Sequence, residues 1–256
     1  MLWYKAWLET RLRFLVALGL LIVAAAGTVA GYPSARELTP LAQNLESMST
    51  EMAQQIRESL ALQGSYRGYI WVRWYDDNLP LLGTLFAIVL GSGNVITAAG
   101  GRGNLFTLAL PVSRDRLLGV RAGLGLAQWF GVVLISSLTI PVLSPMVGEE
   151  YGLVETIVHS VHMFIVGAVF LSLAVLLSTI FSDVWRPLLI TAAAVVLWRS
   201  CEYVLRDLLP WSLAGLMTGK DYFATGSLPW TDLSLGIGVS GLLLYLASRL
   251  FARRDF

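Results

Sequence analysis

Three groups of polar residues have the types and spacing to do chemistry. Glu155, His159 and His162 follow one another at steps of four and three residues, so a helix would place them on one side. A carboxylate and two imidazoles there could ligate zinc or copper, or relay a proton. The competing reading is a helix start that favours Glu155 through its dipole and carries two interfacial histidines; no third strong ligand is evident, which favours it. Arg199, Glu202 and Arg206 step along an otherwise apolar stretch three or four residues apart. Charges at membrane depth are costly and usually face a bundle interior or an aqueous cavity, although a paired ladder can neutralise itself or snorkel outward. These three are the candidates for a substrate pathway or gate.

The third group concerns nucleotides. Gly215 to Asp221 has an outline of a phosphate loop, but its glycines are one residue too close, no Ser or Thr follows Lys220, and no strand precedes it. Gly236-Ile-Gly238-Val-Ser-Gly241 matches a dinucleotide fingerprint as a string, yet it lies inside an apolar run, where small residues usually form helix-packing faces. The chain is therefore expected to hold no cofactor, to have no catalytic residues and not to be an enzyme.

The elements that would position these groups follow from apolar runs. Of 256 residues, 56% are hydrophobic, and mean hydropathy is +0.68, values typical of membrane proteins. A net charge of +1 offers no basic field for nucleic acid. The single cysteine, Cys201, excludes an internal disulfide. Runs at 14–29, 79–98, 122–143, 156–181, 187–205 and 233–251 are each long enough, at ~1.5 Å per residue, to approach or cross a core of ~30 Å. The expected fold class is an all-α integral membrane protein of six transmembrane helices in one domain, 1–256.

Residues 1–13 mix Trp3, Trp7 and Leu8 with Lys5, Arg11 and Arg13, as a helix lying in the membrane interface does. A basic start before an apolar run also has the form of a signal peptide with Thr28-Val29-Ala30 as its cleavage site, but this segment is long and amphipathic. Residues 33–78 form an extracytoplasmic insertion. Within it Leu38, Leu41, Leu45, Met48, Met52, Ile56 and Leu60 recur at helical steps, giving an amphipathic helix over 38–60 that packs on the spans or lipid, or docks an extracytoplasmic partner. Tyr66, Tyr69, Trp71, Trp74 and Tyr75 read as an interfacial aromatic belt. Between the last two spans, 207–230 is half apolar and too short to cross, which suggests a re-entrant segment.

Charge orients the chain. One face collects Lys5, Arg11, Arg13, Arg102, Arg114, Arg116, Arg121, Arg186, Arg249, Arg253 and Arg254 against only four acids, while the other is acidic. By the positive-inside rule the basic face, with both termini, is cytoplasmic, so a multi-pass protein of the cell's inner membrane is expected. The loop 99–121 on that face carries four arginines, and also Leu105, Phe106, Leu108 and Leu110, too few to cross and too apolar for a solvated loop. Pro111 breaks it before Ser113, which can cap a new helix.

The order Gly103-Asn104-Leu105, Leu108-Ala109-Leu110-Pro111-Val112-Ser113-Arg114 and Leu117-Leu118-Gly119 resembles the loop after the second span in permease subunits of ABC-2 type transporters. The N-terminal K-A-W-L-E-T-R-L-R-F-L and the tail Phe251-Ala-Arg253-Arg254-Asp255 are similar to the same family's first helix and last residues. The resemblance implies an exporter in which two permease copies, or two related permeases, form the pathway in the bilayer. Two cytoplasmic ATPase subunits would bind ATP and magnesium and drive it. Gly103, Leu105, Leu108, Leu110, Pro111, Val112, Ser113 and Arg114 would be the ATPase-coupling contacts, with Trp7, Arg11 and Arg13 on the interfacial helix. Within the family, a permease for assembly of an extracytoplasmic metalloenzyme is the alternative. From other classes, a secondary transporter or channel should show charges in several spans, and only one is charged.

Overall fold

The computed structural model describes residues 2–36, 62–92, 113–181, 183–204 and 212–253. The segment 38–60, coupling residues Gly103 to Val112, and Arg206 lie outside them.

Every regular element among the described residues is helical. They are α1 (Leu2–Ala30), α2 (Tyr66–Ile70), eight residues of π-helix (Trp71–Asn78) leading into α3 (Leu79–Ser92), α4 (Arg114–Leu143), α5 (Leu153–Ile180), α6 (Trp185–Val204), two short helices α7 (Leu213–Thr218) and α8 (Lys220–Thr225), and α9 (Trp230–Ala252). Four helical stretches, Leu2–Ala30, Arg114–Val147, Leu153–Ile180 and Trp230–Ala252, are long and apolar enough to cross a membrane. The described part of the expected second span, α3, has 14 residues, and α6 carries Arg199 and Glu202 in its 20.

Local chemistry sets the ends. Ser113 turns extended and its Oγ accepts from Arg116 N at 3.4 Å, starting α4 with Asp115 in its first turn. Arg114 to Arg121 are consequently helical, and the expected loop 99–121 gives up its last eight residues to α4. The interfacial segment 1–13 and the first span form a single helix, because no glycine or proline interrupts residues 2–18. At ~1.5 Å per residue α1 spans roughly 43 Å, more than an apolar core needs.

α5 is the axis, packed on α3, α4, α6, α7 and α9, while α1 packs on α4. Close approach is bought with small residues, as expected where helices gain little from burial against lipid. A Cβ on Gly91 would stand 2.5 Å from Leu171 O, and one on Gly167 would lie inside the Trp129 indole. Between α1 and α4, Gln128 Nε2 donates to Thr10 Oγ1 at 2.8 Å, and Arg121, 6% exposed, pairs with Glu9 at 2.8 Å. Apolar side chains on α6 and α9, such as Leu189, Val196, Ile237 and Leu242, remain exposed.

The aromatic belt is overturned. Tyr66, Tyr69, Trp71, Trp74 and Tyr75 are buried, and four of them reach polar partners inside the bundle. Tyr66 Oη lies 2.7 Å from Ser144 Oγ, Tyr69 Oη donates to Thr28 O at 3.1 Å, Trp71 Nε1 to Thr218 O at 3.3 Å and Trp74 Nε1 to Ser137 Oγ at 3.2 Å. Rings with one polar tip suit a buried site that supplies a partner as well as they suit an interface.

Gly91→Ala should lower resistance to unfolding in detergent by about 1–3 kcal/mol, because a backbone carbonyl blocks the new methyl. Gly241→Ala, with nothing within 4 Å of the new Cβ, should be neutral in the same denaturation titration.

Candidate functional site

A cleft of about 630 Å³ opens between α3, α6 and α7, with Phe170 of α5 also lining it. That volume falls in the ~300–1,000 Å³ range of small-molecule sites. Its lining is divided by chemistry. Asp76, Asp77 and Asn78 end the π-helical turns at one side, and Arg199 and Ser200 of α6 join them; apart from Thr84 the rest is apolar, with Leu85, Ile88, Phe170 and Ala192.

The π-helix explains the polar side. Its wider turns keep Trp71, Trp74 and Tyr75 facing inward while Asp76 and Asp77 are exposed. Asp77 lies 3.7 Å from Arg73, both half exposed, a pair worth little. Arg199 has no ion pair within 4 Å among the described residues, and its field reaches Asp76 together with that of Lys220.

Of the expected ladder of Arg199, Glu202 and Arg206, the two described residues turn to different partners. Arg199 lines the cleft, while Glu202, 9% exposed, turns to α7, where its carboxylate accepts from Leu213 N and, at 3.2 Å, Ala214 N. A carboxylate at a helix start satisfies donors that have no partner within the helix and meets a favourable dipole. Arg206 lies outside the described residues.

α7 is held at its other end by Thr218 O, which accepts from Trp71 Nε1 and from His159 Nδ1 at 3.1 Å. A carbonyl only accepts, so Nδ1 of His159 carries the proton; the same holds for His162, whose Nδ1 donates to Val158 O at 2.8 Å. The chain then turns at Gly219 with φ +65°, where a Cβ would stand 2.6 Å from His159 Nδ1. Glycine is needed on both counts.

Glu155 is not gathered with the histidines. It pairs with Arg67 at 2.8 Å, while His159 stacks on Tyr75 with centroids 4.5 Å apart. Among the described residues no group of three or more His, Cys, Asp or Glu is placed to share an ion. The interfacial reading of the histidines is corrected too: both are buried, at 1% and 0% exposure, because Thr218 and Val158 supply carbonyls inside the bundle. Beside them, in the turn before α5, burial pushes the Tyr151 phenol well above its ordinary ionisation range.

The phosphate-loop outline is α7, its glycine C-cap and α8, with no cradle of backbone donors. Gly236 lies against Ile165, whereas Gly238 and Gly241 face open space on α9. Trp7 and Arg11 are exposed on α1, with Arg13 half buried; Arg114 Nη1 donates to Ala252 O at 3.3 Å, joining the start of α4 to the end of α9. Asp76 and Asp77 were counted in the sequence only towards charge bias. The signal for a site was two adjacent acids directly before an apolar run, at the same end of the bundle as Arg199 of α6.

Comparison of the chain with family models, curated proteins and solved structures gave no match.

Glu202→Ala should free the start of α7. In a Cys201→Ser background, maleimide labelling of Ser212→Cys should rise severalfold when Glu202→Ala is added, and Glu202→Gln, which keeps one acceptor oxygen, should fall between. Equal labelling in all three would show that the carboxylate does not hold α7.

Proposed function

We propose that the chain is the membrane-spanning permease subunit of an ATP-driven ABC-2 type exporter, with the cleft between α3, α6 and α7 on its substrate path. The observation that carries this reading is the cleft's position in the chain. Its α3 wall runs directly into segment 93–112, and that segment's far end is capped by Ser113 at the start of α4. A partner that grips Leu105, Leu108 and Leu110 would therefore pull on a cleft wall and on the helix beside it at once.

The other parts of the reading agree with this. In this reading α1, α3, α4, α5, α6 and α9 would be the six spans, with both termini in the cytoplasm. α7 and α8 would be the re-entrant segment before the last span. The exposed apolar faces of α6 and α9 would meet lipid and a second permease, identical or related. ATP and magnesium would sit on separate cytoplasmic ATPase subunits, and the protein would lie in the inner membrane. Transport then requires that the ATPase prefer one of two cleft arrangements by differential contact.

Purification of the tagged chain from its own cells in mild detergent should recover a soluble ATPase. Leu108→Glu with Leu110→Glu should remove that partner while membrane insertion is kept, and Arg199→Gln should leave it bound. A clean preparation with no ATPase, or one whose partner survives the loop variants, would overturn the reading.

A further inference from the structure

Behind the cleft lies a second cavity of about 270 Å³, between α5, α6, α7 and α9. Phe170, Trp198 and Leu213 line both, so these three side chains form the partition between them. The rear chamber is almost wholly apolar, walled by Val166 and Leu173 and open along α9 at the exposed Leu235 and Val239, with only Ser212 and Asp232 as polar lining. It is smaller than the ~300–1,000 Å³ of sites that hold a whole ligand. Such a space suits part of a molecule whose remainder sits elsewhere.

We propose that the cleft and the rear chamber are the two halves of one site for a single-chain zwitterionic amphiphile, its head between Asp76 and Arg199 and its alkyl tail passing Trp198 into the chamber. The head must carry both signs. The cleft presents carboxylates on the π-helical side and a guanidinium on α6, with no ion pair between Asp76 and Arg199 within 4 Å among the described residues. An anionic group such as a phosphate meets Arg199, which offers a fork of donors, and an ammonium meets Asp76. The tail replaces lipid or water along walls that offer it no hydrogen bond. α7, held by Glu202 at one end and by Trp71 and His159 at the other, stands over both halves and fixes the width of the passage. As an assignment of cargo this rests on the permease reading; as a binding site it does not.

The test uses the full chain in phosphatidylglycerol nanodiscs without any ATPase. The probe is palmitoyl lysophosphatidylcholine with a photoactivatable diazirine near the end of its chain. Cross-links should map to the α5 peptide around Val166 and Leu173, which line the chamber and are not on an exposed face. Ala194→Trp, which fills the chamber, should weaken them about tenfold, whereas Leu189→Trp, on the exposed face of α6, should not. Arg199→Gln should weaken competition by unlabelled lysophosphatidylcholine by a similar factor. Dodecyl sulfate and dodecyltrimethylammonium, each bearing one sign, should compete worse than the zwitterion of matched chain.

Cross-links spread over the exposed faces, or unchanged in a folded Ala194→Trp protein, would mean annular lipid only and overturn the site. Equal competition by a single-sign amphiphile would overturn the head assignment. Because no ATPase is present, loss of the partner in the purification described above leaves this outcome untouched, so failure of the site and failure of the permease reading are separable.

Discussion

The bundle depends on finding acceptors for aromatic N–H and O–H groups that its apolar interior has buried. Tyr69, Trp71 and Trp74 donate to Thr28, Thr218 and Ser137, and Tyr66 meets Ser144. Those partners belong to α1, α7, α4 and the turn that follows α4, so one short segment cross-links four parts of the chain distant in sequence. Each partner is a helix-end carbonyl or a small hydroxyl, the groups with acceptor capacity left over inside a helical protein. Thr218 O uses both lone pairs, one for Trp71 and one for His159. Loss of any one link leaves a buried donor unpaired, which costs more than the bond itself contributes.

This constraint also makes the cleft. A regular α-helix through 66–92 would carry the same residues at a different rotation. Eight π-helical residues widen the turns at the point where inward aromatic rings must give way to outward acids. Asp76 and Asp77 therefore reach the cleft while Trp74 and Tyr75 stay buried. The facing wall is held differently: α6 is largely exposed and rests on α5 and α3, with Glu202 its tie to α7. One wall is fixed by four buried bonds and the other by a carboxylate, an asymmetry that makes α6 the element able to move.

Helices and their ends were legible because they follow from local rules. Ser113 before a run of helix formers and the apolar run over 156–181 needed only period, length and caps, whereas residues 1–13 read as a separate interfacial helix although nothing in 2–18 interrupts α1. What depended on partners was not legible. The aromatic residues read as a belt because an amphipathic ring fits an interface or a buried bond equally, and composition does not tell which acceptor waits. Glu155 read as a companion of His159 and His162 because spacing gives a shared face, but Arg67, far away in sequence, captures it. The backbone donors of α7 that Glu202 meets were equally out of reach of spacing on α6 alone. Asp76 and Asp77 were hidden more deeply, because their direction is set by a π-helical register that no periodicity assuming 3.6 residues per turn can anticipate.

The pair of buried Arg121 and partly exposed Glu9 belongs to the same logic at the opposite end of the bundle. A guanidinium taken out of water against a still-hydrated carboxylate gains little net stability, so the pair is better understood as fixing which residues of α1 face which residues of α4. Gln128, two turns beyond Arg121 on α4, repeats that register on Thr10, the residue next to Glu9. α1 and α4 are thereby locked as one unit, and α4 follows segment 93–112 along the chain. In the permease reading, force applied to that segment meets a rigid pair on one side and α3 on the other. The locked pair offers no compliant route, so the displacement has to pass along α3 to the cleft, and from there to the lightly tethered α6.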